Sequence, residues 1–318
     1  MAASGNSNGD ASAQSSGGRD ERIGMLLVFL SALFWSFGGA IARFLEVDDS
    51  WTVVFWRSTW AAVFLLGYMI WRDGGRGTVA LFRAMGLPGI AVALCFATAS
   101  TSFVVALAYT TVANILLMQA GVPLIAALLA WIIFRERVSG PTWAAIAAVI
   151  FGVGIMVSDS LRGSVSPVGD GLALLIAVVF ACATVITRRY SDVRMTPATC
   201  LGTAIAGCFA ATQASGFAST TLDAGLLFAF GALNLGLGLA FFATGARLIP
   251  AAYAALIGTS EPLLGPIWVW LIHGEVPSAR TIVGGLVVFA ALIAHIGMEF
   301  RRSQRPVRPG ITGVSQPR

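Results

Sequence analysis

Residues 113–136 read ANILLMQAGVPLIAALLAWIIFRE, and residues 252–275 read AYAALIGTSEPLLGPIWVWLIHGE. The second stretch lies 139 positions after the first and aligns to it without a gap. It matches Ala113 with Ala252, Leu117 with Leu256, Pro123 with Pro262, Leu124 with Leu263, Trp131 with Trp270, Ile133 with Ile272 and Glu136 with Glu275. Each stretch is apolar over a length that crosses a bilayer, has a proline near its middle and ends on a glutamate. A duplicated membrane helix marks a chain made of two related halves.

Composition agrees. With 57% hydrophobic residues, 11% charged residues and a mean hydropathy of +0.83, the chain has too little polar surface to coat a soluble globule. Apolar runs fall near 23–45, 51–71, 86–108, 111–133, 141–158, 168–187, 197–216, 223–246, 250–272 and 280–299. Each approaches the roughly 20 residues that a helix needs to cross about 30 Å of hydrocarbon. The expected fold class is an all-α integral membrane protein with ten transmembrane helices in two inverted five-helix repeats, because five is odd and the second set must start on the other side. A weaker echo sets Phe34 and Arg43 against Phe180 and Arg189 at an offset of 146. The change of offset asks for about seven extra residues in the first half, and the arginine-bearing loop near 72–85 has room for them.

All 20 basic residues are arginines. Sixteen (Arg19, Arg22, Arg72, Arg76, Arg83, Arg135, Arg137, Arg188, Arg189, Arg194, Arg247, Arg301, Arg302, Arg305, Arg308 and Arg318) fall on the side of the N-terminus. Only Arg43, Arg162 and Arg280 fall on the other side, together with Glu46, Asp48, Asp49, Asp159 and Asp223. By the positive-inside rule both termini are expected in the cytoplasm, with the protein a multi-pass component of the cell inner (plasma) membrane. The same distribution accounts for the net charge of +5 without a nucleic-acid partner and leaves membrane lipids as the expected surroundings. Residues 1–22 are expected as a disordered cytoplasmic tail, with no core to bury against and no cleavage signal needed ahead of a span that starts at Ile23. Residues 23–158 and 166–300 are expected as the two repeats, and 301–318 as a basic cytoplasmic tail.

Loops this short leave function inside the bundle. Glu261 is the leading candidate, since an ionised carboxylate in mid-span costs several kcal/mol unless it meets water, a cation or a partner. Three roles stand open for it: pairing with a substrate amine, carrying a coupling proton, or capping a helix opened at Pro262. Arg57, six residues into its span, either snorkels to the interface or faces the interior to hold a carboxylate, and a direct Arg57–Glu261 pair is a third arrangement. Pro123 and Pro262 are expected as hinges that free the carbonyls of Gln119 and Gly258. Trp35, Ser36, Asn114, Gln119, Asn234, Tyr253 and Ser260 complete a candidate substrate cavity by their clustering, although each taken alone reads first as a packing or interhelical hydrogen-bonding residue. Glycine runs at Gly38-Gly39, Gly152/Gly154, Gly231/Gly236/Gly238 and Gly284-Gly285 read as close helix contacts. Glu136 and Glu275 read as terminus or gate residues, with Arg135 and Arg137 as local partners for them.

Catalytic chemistry finds no purchase. His273 and His295 stand far apart with no carboxylate motif, Cys95, Cys182, Cys200 and Cys208 lack metal-ligand spacing, and there is no P-loop. No catalytic residue, metal or cofactor is expected. A membrane channel or a non-transport membrane enzyme is the alternative reading.

QAGVPLIAALLAWIIFRERVS at 119–139, SEPLLGPIWVWLIHGEVPS at 260–278, LFWSFGGAIARF at 33–44 and WTVVFWRS at 51–58 together resemble the EamA family of the drug/metabolite transporter superfamily, over about 23–300. The resemblance implies a two-repeat, ten-helix bundle with a central cavity. It also implies export of small metabolites or amino acids, and the two inverted halves are expected to make the chain a secondary carrier that works by alternating access, with monomer and homodimer both open. The chain departs from internal symmetry at Val122, where the second repeat has Glu261.

Overall fold

The computed structural model describes residues 7–136, 138–158 and 166–303, with side chains for all of these but 7–19, 251–252 and 299–303. Residues 1–6, Arg137, residues 159–165 with Asp159 and Arg162, and residues 304–318 with Arg305, Arg308 and Arg318 lie outside the described residues, while the backbone of 7–22 belongs to the first helix. The chain forms α1 (Ser7–Ser36), α2 (Gly38–Phe44), α3 (Ser50–Ala84), α4 (Gly86–Ala106), α5 (Val112–Gln119), α6 (Val122–Phe134) and α7 (Gly140–Val157). The second half forms α8 (Pro167–Arg189), α9 (Thr196–Gln213), α10 (Thr221–Phe228), a π-helical stretch Ala229–Leu237, α11 (Gly238–Gly245), α12 (Ala251–Gly258), α13 (Ser260–His273) and α14 (Ala279–Ser303). Span 1 is α1 with α2, span 4 is α5 with α6, span 8 runs from α10 to α11, and span 9 is α12 with α13.

Among the described residues eight helices are long and apolar enough to cross a membrane, and the bent α5–α6 pair makes nine. Helix α9 fills the tenth place with 18 residues, but threonines, Pro197 and Gln213 dilute its hydropathy. The threonine hydroxyls are satisfied on their own helix, as when Thr203 donates to the Cys200 carbonyl at 2.8 Å, so α9 packs against α3 and α4 without stranded polar groups.

Span starts are written locally. The side chains of Asp49, Thr111, Ser139 and Thr220 accept from backbone N–H groups of Trp51, Asn114, Thr142 and Asp223, opening α3, α5, α7 and α10. The helix stops repeat too. Arg135 after α6 and Gly274 after α13, 139 positions apart, are both left-handed, with φ 55° and 67°.

One face gathers alternate loops, as the threading requires. The Asp49 carboxylate accepts from the Ser215 backbone at 2.9 Å, Thr52 donates to the Gly216 carbonyl at 2.6 Å, and the Glu46 amide donates to Asp223 at 3.1 Å. Arg280 reaches the Ser158 hydroxyl at 2.9 Å on the same face, called distal below. The opposite, terminal face is tied by Arg194 and Asp73 at 2.9 Å. There the loop expected near 72–85 proves helical: α3 bends at Gly74, which takes φ +71° as only glycine does freely, and continues with Arg76 and Arg83 to Ala84. Large apolar side chains such as Leu26, Trp71, Ile150, Phe151 and Leu286 are exposed around the bundle, where lipid covers them. The largest core, around Ala99, Ile115, Met118, Met156 and Ile176, sits where α4, α5, α7 and α8 meet.

Candidate functional site

The two matched helices are broken at matched places. Span 4 bends by 44° between α5 and α6, at Ala120-Gly121, while at the matched place, 139 positions on, span 9 has a one-residue interruption at Thr259 with φ -66° and ψ -11°, and Tyr253–His273 still runs as one span. Pro123 and Pro262 therefore stand in the first turns of α6 and α13, where a missing N–H leaves no bond unmade. The bends lie about a turn ahead of the prolines.

Span 1 is broken as well, at Phe37, between α1 and α2. The Asn234 amide, carried by the π-helical stretch, donates to the carbonyl of Phe34 and, at 3.3 Å, to that of Trp35. At this end of α1 the Phe34 carbonyl also accepts from the Phe37 amide at 3.3 Å, in a tighter turn, so a side chain from span 8 completes the cap of span 1. Ser36 donates to the Leu33 carbonyl at 2.7 Å and accepts from the Trp268 indole at 3.0 Å, and Phe37 stacks on Trp268 with centroids 4.9 Å apart. Trp35 lies over Phe242 at 5.6 Å, and its Nε1 is buried with no partner among the described residues.

Arg57 does not snorkel. It is 6% exposed, donates to the Ser100 hydroxyl at 2.8 Å, and holds its guanidinium over Phe230 at 4.4 Å and Phe103 at 5.6 Å. Aromatic faces replace part of its hydration. The direct Arg57–Glu261 pair is not formed. Glu261, at the start of α13, is partly exposed and has no hydrogen bond or ion pair among the described residues. Beside it Ser260 donates to the Ile257 carbonyl at 2.6 Å. Gln119, next to the break in span 4, has a buried Nε2 with no described partner. Tyr253 packs with Val28, Ile249 and Ala254 toward the terminal face.

Asn114 sits apart from these. It donates to Thr110 at 3.0 Å and to the buried carboxylate of Asp170 on α8, and it lines a cavity of about 370 Å³ near the distal face with Arg43, Tyr109, Ser166 and Thr281. The candidate residues thus form separate groups: Trp35, Ser36 and Asn234 around the break in span 1; Gln119, Ser260 and Glu261 at the breaks in spans 4 and 9; Arg57 within spans 2, 3 and 8; and Asn114 with Asp170. Asp170 escaped the sequence reading, although an acid in the first turn of a span was a visible signal.

The distal ends of spans 1 and 9 are locked together. Arg43 donates through Nε to Glu275 Oε2 at 2.9 Å, through Nη1 to the Leu107 carbonyl at 2.9 Å and through Nη2 to the Thr110 carbonyl at 3.1 Å. The other Glu275 oxygen accepts from the Val112 amide at 2.8 Å, at the first turn of α5. The partner of Glu275 is therefore Arg43 from another span, and that of Glu136 is Arg188 at 3.5 Å, not the adjacent Arg135.

Two copies of one family model, the EamA-like transporter family, match residues 22–158 and 167–296. The chain belongs to the EamA-like transporter family. It is accordingly a multi-pass membrane transporter of the drug/metabolite transporter superfamily, a group of transporters rather than enzymes. Among solved structures, a chain titled only as the crystal structure of a protein shares the fold, with a TM-score of 0.60 and 16% identity over 89% of this chain and 99% of its own. No curated protein matches in sequence.

Proposed function

We propose that this EamA-like protein is a secondary active transporter that exports amino acids or other small metabolites by alternating access across the inner membrane, without catalytic chemistry. Both termini are cytoplasmic in this reading, so the distal face is external, in keeping with the arginine-rich terminal face and the acid-rich distal one. The observation that carries it is the 44° bend of span 4 together with the interruption of the α-helix at the repeat-equivalent place in span 9. Half-helices joined at such breaks swing against each other with little loss of backbone bonding, and inverted copies make opening on one face the mirror of opening on the other.

Substrate is held around the breaks in this reading, with Gln119, Ser260 and Glu261 nearest and Trp35, Ser36 and Asn234 bordering from spans 1 and 8. Arg57 and Asn114 contribute from the external side. Glu261 pairs with a substrate amine or carries the coupling proton. A single copy contains the whole path, so a monomer suffices and a homodimer adds no residue to the site.

Counterflow in proteoliposomes with a panel of labelled amino acids and organic acids tests this reading. Transient uphill accumulation against unlabelled internal substrate is expected of a carrier. Downhill flux without counterflow makes the protein a channel, and no flux of any amino acid removes that cargo.

A further inference from the structure

The distal lock has a sequence counterpart on the terminal face that is not engaged in the same way. Shifting its parts by the repeat offset of 139 carries Glu275 back to Glu136, Val112 forward to Ala251, and Leu107 and Thr110 forward to Ala246 and Ile249; the weaker offset of 146 carries Arg43 to Arg189. Ala251 opens α12 as Val112 opens α5, and Glu136 follows the left-handed Arg135 as Glu275 follows the left-handed Gly274.

The two sites differ sharply in engagement. The Arg43 and Glu275 side chains are 30% and 18% exposed, within a four-bond network. Glu136 and Arg188 approach only to 3.5 Å and are 48% and 61% exposed, and Arg189 is exposed. Packing follows the same asymmetry. Helix α5 packs on α13, with Leu116 filling the place where a side chain on Gly265 would stand. The mirror contact, α12 on α6, is not among the extensive helix pairings of the described residues: α6 packs mainly on α7 and α8, and α12 on α1, α13 and α14.

We infer that Arg43–Glu275 and Glu136 with Arg188/Arg189 are the two alternating latches of the transport cycle. In the state described here the distal latch is closed. In the opposite state Glu136 accepts from the first-turn N–H groups of α12 while an arginine of span 6 reaches the carbonyls at 246–249, holding the terminal face shut. The chemistry favours this use. A glutamate at a helix N-terminus gains from the orphan amides and the helix dipole, and an arginine fork satisfies loop carbonyls that no helix serves. Each latch is rewarded in only one state, which is what biases a two-state element.

This inference rests on alternating access, and the test separates the two. In a chain whose four cysteines are replaced by alanine, spin labels are placed across the distal face at Tyr109 and Val276, and in a second protein across the terminal face at Phe134 and Leu248. Distances are measured by pulsed electron resonance in lipid nanodiscs. Glu275→Gln is expected to raise the long-distance distal population about tenfold, the effect of losing one charged hydrogen-bonded partner, and to shorten the terminal distances in step. Adding Glu136→Gln is expected to return both distributions toward the parent. Glu275→Asp keeps the charge and the acceptor oxygens for Arg43 and the Val112 amide and is expected to resemble the parent more than Glu275→Gln does, which guards against a folding artefact. Distal distances unmoved by Glu275→Gln, or a Glu275→Gln shift that Glu136→Gln leaves unreversed, overturns the latches. Distal opening with no terminal closing in any variant overturns alternating access itself.

Discussion

Gly152 on α7 and Gly284 on α14 meet backbone to backbone. A Cβ on Gly152 would lie 2.7 Å from the Gly284 carbonyl oxygen, and one on Gly284 would lie 2.5 Å from that of Gly152. Spans 5 and 10, the last of each repeat, are thus joined through a contact that no side chain fits, and they form one of the most extensive helix pairings in the bundle.

Gly284→Ala is expected to push α7 from α14 and to cost about 1–3 kcal/mol, the usual penalty of overpacking. Gly154→Ala is the control, since open space surrounds that position. Thermal unfolding in detergent should show a lower Tm for the first and an unchanged Tm for the second. Equal Tm values would mean that the two helices separate freely.

Asn234→Leu removes the amide that caps the Phe34 and Trp35 carbonyls where α1 ends. The Phe34 carbonyl keeps the Phe37 amide at 3.3 Å, but the Trp35 carbonyl loses its side-chain donor, which is expected to cost about 1–3 kcal/mol, read as a drop in Tm. Hydrogen exchange of α1 and α2 should rise in the same variant. A variant as stable as the parent would mean that other donors serve those carbonyls.

Asp49 sets a pH limit. Burial raises its pKa, but hydrogen bonds from the Ser215 backbone, Thr52, the Trp51 backbone and the Ser215 hydroxyl outweigh burial and hold it at about 2, below its ordinary 3.8. A carboxyl whose folded pKa is depressed adds stability above its unfolded pKa and loses it as pH falls toward the folded one. Asp49→Asn should therefore lower Tm near neutral pH, and the gap between variant and parent should narrow below about pH 4 and close near pH 2. A gap independent of pH would assign the effect to lost packing.

Glu261→Gln preserves shape and removes charge. Substrate exchange is expected to fall roughly tenfold or more, as when one charged hydrogen-bonded partner is lost. If Glu261 carries the coupling proton, the pH dependence of net transport disappears while exchange at fixed pH survives; if it pairs with a substrate amine, both are lost for amines only. Unaltered kinetics would leave Glu261 as a helix-start residue.

Much of the architecture was legible without coordinates. The gapless match of 113–136 with 252–275 announced two copies of a broken span, and the arginine distribution sorted loops onto two faces, because hydropathy and helix length act locally and lipid permits few other solutions. Element details were less legible. Nothing in TTLDAGLLFAFGALNLGLGLA, residues 220–240, signals a π-helical stretch, whose Gly231 and Gly236, with Gly238 just after it, pack closely against Arg57, Phe64 and Trp35. The prolines marked the breaks to within a turn but not to the residue.

The candidate residues fared differently. Their types were readable, since polar groups in apolar spans stand out, but their partners were not. Arg57 rests on Ser100 and two aromatic rings from spans 3 and 8, and Glu275 ignores its sequence neighbours for Arg43, 232 positions away. Composition and repetition by themselves determined that the chain crosses the membrane as two inverted halves. Only the tertiary structure decided which charges meet, because side-chain pairing depends on how far neighbouring spans slide and tilt.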